Sequence, residues 1–551
     1  MLSSIFTLVQ QGISAYTGLY TGAKERCTPE RVAHQLDLIN HHLARSATIL
    51  SVKYVKEGDG YGDKTDIPGI PPMYPEGLPD LCAVEVNVTS SATSSYHFSI
   101  FLPTTWNSKT LTVGGSGFAG FINYLDMGAG AHYGFATMSS NNGHDGDMAD
   151  TQWALNSPEK QIDFAWRAMY GTVELAKQMI EIYYRKPITF SYYMGCSNGG
   201  RQGLKEIQIE PDSFDGAVIG APSWRFSREL AWNTKISNEY YPVEDPKSLS
   251  INFISTVLAP TVAEQCDGVD GVLDGIVSSP WDCHPDFSVL SCDRPGADLD
   301  ECLTPLQFET LGKIYEDYYV NSEFAYPGLG YSSETAWTTQ LFSGTPTPFG
   351  LDYVRHAVYG DPEWPLEAYN DSVYEDIINH PIMHATGAED VDMSPYRDRG
   401  GKILMYHGLS DPLISTRGSV NFYKEVQHAT GTFHPIDDWF RLFLVPGLGH
   451  CMGSAVDAPW HIGGANQNWL FHNYSAWSVP GYSDPRHDIL HALMEWVENG
   501  KPVEEIIATV WNNGSDFNQG VKRQRPVCAY PKKAVWDGVG DVNNPVHWKC
   551  Q

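Results

Sequence analysis

The sequence predicts an α/β fold, a mainly parallel sheet with helices on both faces that is interrupted by a large insertion. Short apolar segments alternate with amphipathic segments between residues 110 and 222, and strands at that spacing form a parallel sheet covered on both sides. The alternation stops over residues 223–399, which are rich in aromatic residues, glycine, proline and cysteine. It resumes at residues 402–411 (KILMYHGLSD).

Composition excludes several classes of protein. The 551 residues are 42% apolar and 19% charged, which is typical of a globular chain with one or two full cores. The 66 acidic side chains outnumber the 36 Lys and Arg, so a net charge of −30 repels phosphate backbones and anionic headgroups. No apolar run reaches the roughly 20 residues that a spanning helix needs. We therefore expect neither a nucleic acid nor a membrane as a partner.

The first predicted strands form an antiparallel pair. Residues 83–88 (AVEVNV) and 96–102 (YHFSIFL) alternate apolar and polar side chains, as half-buried strands do. Residues 110–115 and 135–140 are short apolar runs that end in glycine or serine, which is typical of buried strands. These segments begin the sheet.

The parallel part of the sheet follows. Apolar side chains recur at helical spacing from Ile162 to Tyr184, and Pro187 ends this helix. Residues 188–195 (ITFSYYMG) form the next strand, a helix begins after them, and residues 215–222 (DGAVIGAP) form another strand. This order is the one expected of parallel strands joined by helices.

The loss of alternation over residues 223–399 predicts an inserted second domain. It lies over the carboxyl edge of the sheet, where open α/β folds bind their ligands. Residues 1–222 and 400–551 then form one catalytic domain. Within it, residues 439–451 hold the last strand and its loop, and residues 486–500 form a closing helix.

The ten cysteines form an even set, which predicts a framework of disulfide bonds. Three local pairs have short separations, which keeps the entropic cost of loop closure small. They are Cys266 with Cys283, Cys292 with Cys302, and Cys528 with Cys550. The alternative is a set of buried thiols in a cytosolic enzyme. Because disulfides persist in oxidising compartments, the pairing predicts a secreted, extracellular protein.

Other signals of export are few. The stretch MLSSIFTLVQQGISAYTG lacks the basic start of a signal peptide, and two glutamines interrupt its apolar part. Sequons for N-glycosylation stand at Asn87, Asn370, Asn473 and Asn513. A chain of this composition produces about that many by chance, so the disulfides carry the extracellular prediction.

Residues 195–199 (GCSNG) match the pattern G-x-S-x-G. In α/β-hydrolases this pattern is a tight strand-to-helix turn that exposes a serine hydroxyl above the sheet. Here an apolar strand precedes the motif and an amphipathic helix follows it, as that turn requires. The sequence therefore predicts Ser197 as a nucleophile; the alternative is a glycine-rich turn with an ordinary serine.

A serine needs a histidine to take its proton and a carboxylate to orient that histidine. In α/β-hydrolases the three follow in the order Ser, Asp, His. Asp411 lies in the loop after the strand KILMYH, and His450 lies in the loop after RLFLV. Both positions are at the carboxyl ends of strands, so we predict them as the triad partners. Competing candidates are Asp437, Asp438, His407, His434, His487 and His491.

Cysteines flank two predicted triad members. Cys196 directly precedes Ser197, and Cys451 directly follows His450. A bond between them requires Cα atoms about 5.5 Å apart and would hold the nucleophile beside its base. The alternative is two unrelated buried thiols.

An acyl-transfer site also needs amide donors for the developing oxyanion. We expect the N–H of Asn198, which follows the nucleophile, to be one donor. The glycine-rich segment 113–121 (VGGSGFAGF) offers the second, from Gly115, Ser116 or Gly117. Ordinary turn chemistry is the alternative for that segment.

The inserted domain contains the loop DGVDGVLDGI, with carboxylates at Asp267, Asp270 and Asp274. Its spacing is not that of an EF-hand, but these carboxylates and the carbonyls of Val272 and Ile276 are the oxygen ligands that Ca²⁺ prefers. No His or Cys ligand pattern accompanies the loop, so we predict a structural ion rather than a catalytic one. Solvated Asp-Gly turns are the alternative.

Together, residues 195–206 (GCSNGGRQGLKE), the Asp411 loop, His450 with Cys451, and the DGVDGVLDGI loop resemble the tannase and feruloyl esterase family of secreted fungal and bacterial hydrolases. The resemblance spans nearly the whole chain. It implies an α/β-hydrolase fold with a large inserted lid domain and no organic cofactor. It also implies a bond between the neighbours of the serine and the histidine, here Cys196 and Cys451.

The resemblance carries two further implications. The lid of the family holds calcium on a loop that matches Asp267, Asp270, Val272, Asp274 and Ile276. It also pairs Cys27 with Cys82, which separation alone does not indicate.

The predicted activity is hydrolysis of phenolic acid esters. The resemblance selects feruloyl (hydroxycinnamoyl) esters of plant cell-wall polysaccharide, with a small phenolic ester or a feruloylated oligosaccharide as substrate. Aromatic lid segments at 238–241, 315–320 and 324–331 offer flat apolar walls for such a ring. Three alternatives stay open: a tannase that cleaves galloyl esters, an inactive binding module on a hydrolase scaffold, and a peptidase.

Overall fold

The computed structural model describes residues 22–40, 46–65, 71–299, 301–340, 344–431, 436–471, 477–514 and 516–551. The strands in chain order are β1 (Ser46–Val55), β2 (Leu81–Thr89), β3 (Ser95–Pro103), β4 (Lys109–Val113), β5 (Ala136–Ser140), β6 (Phe190–Cys196), β7 (Gly216–Gly220), β8 (Tyr318–Val320), β9 (Glu323–Tyr326), β10 (Lys402–Gly408), β11 (Phe440–Val445), β12 (Glu505–Asn513), β13 (Asp516–Cys528), β14 (Ala534–Trp536) and β15 (Trp548–Cys550).

The central sheet has nine strands in the order β1-β2-β3-β5-β4-β6-β7-β10-β11. Strand β2 pairs antiparallel with both β1 and β3, and β3 pairs antiparallel with β5. From β5 to β11 all neighbours are parallel. The predicted antiparallel pair is confirmed, with Val84 opposite Ile100. The edge strand β1 was not predicted, since most of its side chains are at least partly exposed and give no apolar pattern.

The longer helices are Pro29–Asn40, Tyr124–His132, Ala168–Tyr184, Asn198–Ile209, Phe226–Tyr240, Ala259–Cys266, Pro305–Tyr315, Asp371–Asn379, Thr416–Ala429 and Ile489–Asn499. Shorter helices are Ala23–Arg26, Pro158–Ile162, Ile251–Phe253, Glu334–Gln340, Leu351–Tyr353, Pro381–Thr386 and Ser394–Asp398. The helix predicted from Ile162 begins instead at Pro158 and passes through a π-helical turn, Asp163–Arg167, before Ala168.

Helices cover both faces of the sheet, as predicted. Adjacent side chains of β6 point to opposite faces, as the pleat requires. Tyr192 belongs to the core cluster that includes the helix Ile489–Asn499. Tyr193 belongs to a second cluster with the helices Asn198–Ile209 and Thr416–Ala429. Because β4, β6, β7, β10 and β11 are parallel, the loops after them meet at one edge of the sheet.

The segment between β7 and β10 adds no strand to the central sheet among its described residues. It is mostly helical, with one small hairpin of β8 and β9. It has its own core, in which the rings of Trp232, Trp337 and Tyr353 are completely buried. Phe118 and Phe164 of the sheet domain belong to the same core cluster. The insertion and the sheet domain therefore share apolar packing.

One sequence expectation about the end of the chain is wrong: β11 is the last strand of the sheet but not of the chain. Strands β12 and β13 form a long hairpin, and β14 pairs with β15. Much of β13 is exposed to solvent, including Gln519 and Lys522, so no apolar alternation indicates it in the sequence.

Five disulfide bonds are present, and no described cysteine is free. The bonds are Cys27–Cys82, Cys196–Cys451, Cys266–Cys283, Cys292–Cys302 and Cys528–Cys550. The three local pairs match those favoured by spacing. The two long-range pairs match those that the family resemblance implied. No helix in the described part of the chain has the length and apolarity needed to cross a bilayer.

Candidate active site

Ser197 occupies the turn between β6 and the helix Asn198–Ile209. Its φ is +63° and its ψ is −125°, which is a strained conformation for a residue with a side chain. Its N–H donates to the carbonyl of Gly220 on the neighbouring strand β7, at 3.0 Å. This hydrogen bond holds the serine at the carboxyl edge of the sheet, at the positive end of the helix that it precedes.

Small residues make this turn possible. A Cβ on Gly199 would lie 2.6 Å from the carbonyl oxygen of Gly115, and one on Gly195 would lie 2.7 Å from the carbonyl carbon of Gly199. No side chain fits at either distance. Gly199 is therefore required by close packing against the loop after β4, and Gly195 by close packing within the turn itself.

Asp411 and His450 are joined at this edge. His450 Nδ1 lies 2.8 Å from Asp411 Oδ2. The other carboxylate oxygen accepts hydrogen bonds from the N–H groups of Leu413 and Ile414, both at 2.9 Å. Burial opposes ionisation of Asp411, but the imidazoles of His450 and His407 hold its pKa well below the usual range. The carboxylate is charged and immobile.

The imidazole of His450 is mostly buried, with 12% of the side chain exposed. Burial alone would lower its pKa, but the charge of Asp411 and the hydrogen bond to it raise the pKa above the ordinary 6.5. Because Asp411 engages Nδ1, the Nε2 atom is left to accept a proton. This is the arrangement expected of a general base.

The bond between Cys196 and Cys451 brings the serine and histidine loops together, with Cα atoms 5.9 Å apart. Ser197 and His450 are the adjoining residues. The disulfide therefore joins the loop of the serine to the loop of the histidine.

The sequence predicts three candidate amide donors in the loop after β4. Two of them have no hydrogen-bond partner among the described residues. The N–H of Gly115 donates to Gln202 Oε1 at 2.9 Å, so it is occupied. The N–H groups of Ser116 and Gly117 make no hydrogen bond among the described residues, and Gly117 has φ +52°. Asn198 is the first residue of its helix, where N–H groups lack intrahelical partners. Ser116, Gly117 and Asn198 are thus the donors available for an oxyanion.

His407 is a residue of the site that the sequence argument set aside. It lies within β10, as expected, but its Nε2 is 3.0 Å from Asp411 Oδ2. Its Nδ1 is 2.8 Å from Ser419 Oγ. The feature of the sequence that could have indicated this contact is the position of His407 four residues before Asp411. Asp411 therefore contacts two histidines, of which only His450 adjoins the serine loop.

The other competing residues have separate partners. His487 lies 2.9 Å from Asp484, and Asp437 accepts the hydroxyl of Tyr423 at 2.7 Å. His491 is 3.3 Å from Ser483 Oγ. The main-chain carbonyl of Asp438 accepts from Lys402. His434 lies outside the described residues.

The insertion contributes an acidic side chain that the sequence did not indicate. Burial raises the pKa of Glu229 to about 8, and its charge interacts with Asp411 and His450. Within the predicted aromatic segments, the side chain of Tyr326 interacts electrostatically with Glu229 and Asp411. Tyr315 and Tyr331 pack on each other, with ring centroids 4.7 Å apart, and so serve the core of the insertion.

The predicted calcium loop is closed by hydrogen bonds of its own. The carboxylate of Asp267 accepts from the N–H groups of Asp274, Gly275 and Ile276 at 3.2, 3.0 and 3.2 Å. The carboxylate of Asp274 pairs with Arg523 and Arg525 of β13. The carboxylates of Asp267 and Asp274, which a cation would need as ligands, therefore already have hydrogen-bond or ion-pair partners.

Asp270 is the exception in this loop. Its Oδ1 accepts the N–H of Val272 at 3.0 Å, whereas Oδ2 is buried and has no hydrogen bond of normal geometry. The described residues contain no group of three or more His, Cys, Asp or Glu side chains placed to hold a metal ion. The donor chemistry fits a hard cation, and an ion would compete with the N–H groups and arginines that now contact Asp267 and Asp274.

Comparisons with known proteins place the chain among similar sequences and structures. Residues 82–551 match the family described as "Tannase and feruloyl esterase". A protein named "Probable feruloyl esterase B-2" from Aspergillus terreus is 33% identical over 478 residues, covering 86% of each chain. The crystal structure of an esterase from Aspergillus oryzae has a TM-score of 0.86 at 30% identity, covering 96% of this chain and 100% of that one.

The crystal structure of feruloyl esterase B from Aspergillus oryzae is also similar. Its TM-score is 0.83 at 28% identity, and the match covers 94% of this chain and 100% of that one. The similarity therefore extends over the sheet domain and the insertion alike.

Removing the disulfide beside the site is expected to lower activity without unfolding the protein. The double variant Cys196→Ala/Cys451→Ala frees the serine and histidine loops, and a shift of about 1 Å costs roughly 10²-fold in turnover. Ester hydrolysis and far-UV circular dichroism measure the two effects. The matched control is Cys292→Ala/Cys302→Ala, in the insertion. Wild-type turnover by the first variant would contradict the clamping role.

The acid limb of the pH–rate profile is expected to depend on Asp411. His450 acts only when neutral, so kcat/KM rises with pH through its pKa, which lies above 6.5. Asp411→Asn removes the charge that raises this pKa, so the acid limb moves to lower pH while kcat falls by about 10⁴-fold. The pH–rate profiles of both proteins with an activated ester measure the shift. Acid limbs at the same pH would contradict the assignment of Asp411 as the partner of His450.

Proposed function

The chain belongs to the tannase and feruloyl esterase family and has the α/β-hydrolase fold, and we propose that it hydrolyses feruloyl (hydroxycinnamoyl) esters through Ser197, His450 and Asp411. It is a carboxylic ester hydrolase. The observation that carries the mechanism is the disulfide between Cys196 and Cys451, which joins the nucleophile loop to the base loop.

The reaction proceeds in two halves. The Ser197 hydroxyl attacks the ester carbonyl carbon while its proton passes to His450 Nε2, and the charged imidazole is held by Asp411. The carbonyl oxygen becomes an oxyanion and accepts hydrogen bonds from the N–H groups of Asn198 and of Ser116 or Gly117. His450 then protonates the departing alcohol oxygen. Water then gives a proton to His450 and attacks the acyl carbon. The bond from that carbon to the Ser197 oxygen breaks, His450 returns the proton to this oxygen, and the phenolic acid leaves.

The acyl group is the part of the proposal that depends on the relatives. Two relatives are named "Probable feruloyl esterase B-2" and "Feruloyl esterase B", and these names support a hydroxycinnamoyl ester. A small phenolic ester or a feruloylated oligosaccharide of the plant cell wall is then the substrate. A galloyl ester is the second candidate, since the family name includes tannases.

Two other candidates have direct assays. An inactive binding module would not react with a serine-directed fluorophosphonate, whereas an activated Ser197 is labelled covalently. A peptidase would cleave casein, which a carboxylesterase leaves intact.

We also infer that the protein works outside the cell. Five disulfide bonds and the lack of any free cysteine among the described residues are typical of oxidising compartments. Recovery from the culture fluid of its source, rather than from the cells, is the direct check.

We further propose that the loop Asp267–Ile276 binds a structural Ca²⁺. The unpartnered Oδ2 of Asp270 and the oxygen-only donor set support it. Asp267, Asp270, Asp274 and the carbonyls of Val272 and Ile276 would hold the ion, which would cross-link the loop.

The Ser197→Ala variant is expected to lose at least about 10³-fold in turnover, because the nucleophile is absent. A panel of methyl ferulate, methyl caffeate and methyl gallate measures this in both proteins. We expect the wild type to hydrolyse ferulate faster than gallate, and the reverse order would favour the tannase alternative. Near-normal turnover by the variant would refute the serine mechanism.

We expect chelation of calcium to lower the melting temperature of the protein. Removing a bound ion withdraws its binding free energy from the folded state. Differential scanning calorimetry with EGTA, and then with Ca²⁺ restored, measures the effect. Asp270→Asn should abolish it, and the surface variant Asp286→Asn should not. An identical melting temperature in EGTA and Ca²⁺ would remove the calcium proposal.

A further inference from the structure

Arg201 is a buried cation in the helix that begins after Ser197. Its side chain has no exposed surface, and within the described residues no carboxylate pairs with it. Two of its nitrogens donate instead to main-chain carbonyls, at 2.6 Å to Ala165, 2.9 Å to Thr386 and 3.2 Å to Phe164. Burial lowers its pKa to about 10, so it stays protonated at neutral pH. A buried charge without an ion partner is costly and needs an explanation.

Aromatic rings keep this charge away from water. The guanidinium carbon lies 5.2 Å from the ring centre of Phe164 and 5.8 Å from that of Phe226. Cation–π contacts offset part of the lost hydration. In such a dry environment a charge acts more strongly on its neighbours than it would in solvent.

The remaining nitrogen of Arg201 points to the residue beside the nucleophile. Arg201 Nε donates to Asn198 Oδ1 at 2.7 Å. Since guanidinium has no acceptor, this contact fixes the amide with its oxygen toward Arg201 and its nitrogen away from it. Asn198 Nδ2 is buried and has no hydrogen-bond partner among the described residues. An oriented, unsatisfied donor therefore lies one residue from Ser197.

We propose that Asn198 Nδ2 is a further donor to the oxyanion formed at Ser197, and that Arg201 is the positioning residue that orients and polarises this amide. This deepens the proposed function and rests on it. The Asn198 side chain would thus act in addition to its own main-chain N–H.

The charge movement of the reaction explains why the donor is left unpaired. As the Ser197 oxygen bonds to the ester carbon, the carbonyl π electrons move to the oxygen and the serine proton moves to His450. A full negative charge then appears where the substrate had only a dipole. A donor that is polarised by a desolvated cation stabilises this negative charge more than it stabilises the bound ester. Such preferential stabilisation of the transition state raises kcat.

The principal test is Asn198→Ala, which keeps the main-chain N–H. We expect kcat with methyl ferulate to fall by about 10²-fold, the size of effect seen on loss of one oxyanion donor. KM should stay within about 3-fold, because the interaction forms in the transition state. Phenylboronic acid, which adds to serine as a tetrahedral anion, should bind about 10²-fold more weakly, while ferulate ion binds as before.

A second variant distinguishes loss of the donor from misfolding. Asn198→Asp keeps an acceptor for Arg201 but presents a carboxylate in place of the donor. Its kcat should be lower than that of the alanine variant, with circular dichroism unchanged. The matched control is Gln208→Ala, on the same helix; Gln208 donates to the carbonyls of Ala388 and Asp390 in the insertion but not to Asn198. This control should keep wild-type kcat.

The results separate this proposal from the esterase assignment. Wild-type kcat and boronate affinity in both Asn198 variants, with an inactive Ser197→Ala, would overturn the proposal alone. A raised KM with unchanged kcat would also overturn it, since the amide would then bind only the ground state. An active Ser197→Ala would instead refute the esterase mechanism itself. Arg201→Lys should reduce kcat and boronate affinity in parallel, as expected for a group that acts through Asn198.

Discussion

The site depends on one covalent bond across the sheet. Strands β6 and β11 are separated by β7 and β10 in the sheet order, so their axes lie roughly 14 Å apart at ordinary strand spacing. A histidine directly after β11 would not reach a serine directly after β6. The loop from β11 therefore runs back over the end of β10, where the carbonyl of Leu448 accepts the N–H of Ser410. The bond from Cys451 to Cys196 fixes the far end of this loop.

The charged groups near the serine are stabilised in different ways. Asp411 is fully buried, yet it is surrounded by two main-chain donors and two imidazoles, so burial does not neutralise it. Glu229 is also buried, and burial raises its pKa to about 8. Arg201 has only carbonyls, one amide oxygen and ring faces around it. The site therefore combines one well-compensated anion with one incompletely compensated cation.

Local chemistry made the frame of the site predictable. Ser197, Asp411 and His450 each follow an apolar strand, and parallel strands end at a common edge. The same argument failed for contacts made through packing between distant segments. The occupied amide of Gly115 depends on Gln202, and the second histidine on Asp411 depends on a side chain inside β10. No pattern in the sequence distinguishes a free amide from an engaged one.

The ring of Phe118 connects the insertion to the loop after β4. It follows directly after the donor Gly117 and stacks on Tyr353 of the insertion, with centroids 4.9 Å apart and planes 3° from parallel. Phe349 stacks on it as well. A movement of the insertion would separate these rings or would shift the loop after β4 together with the insertion. Ring packing therefore couples the position of the insertion to that of the loop that holds Ser116 and Gly117.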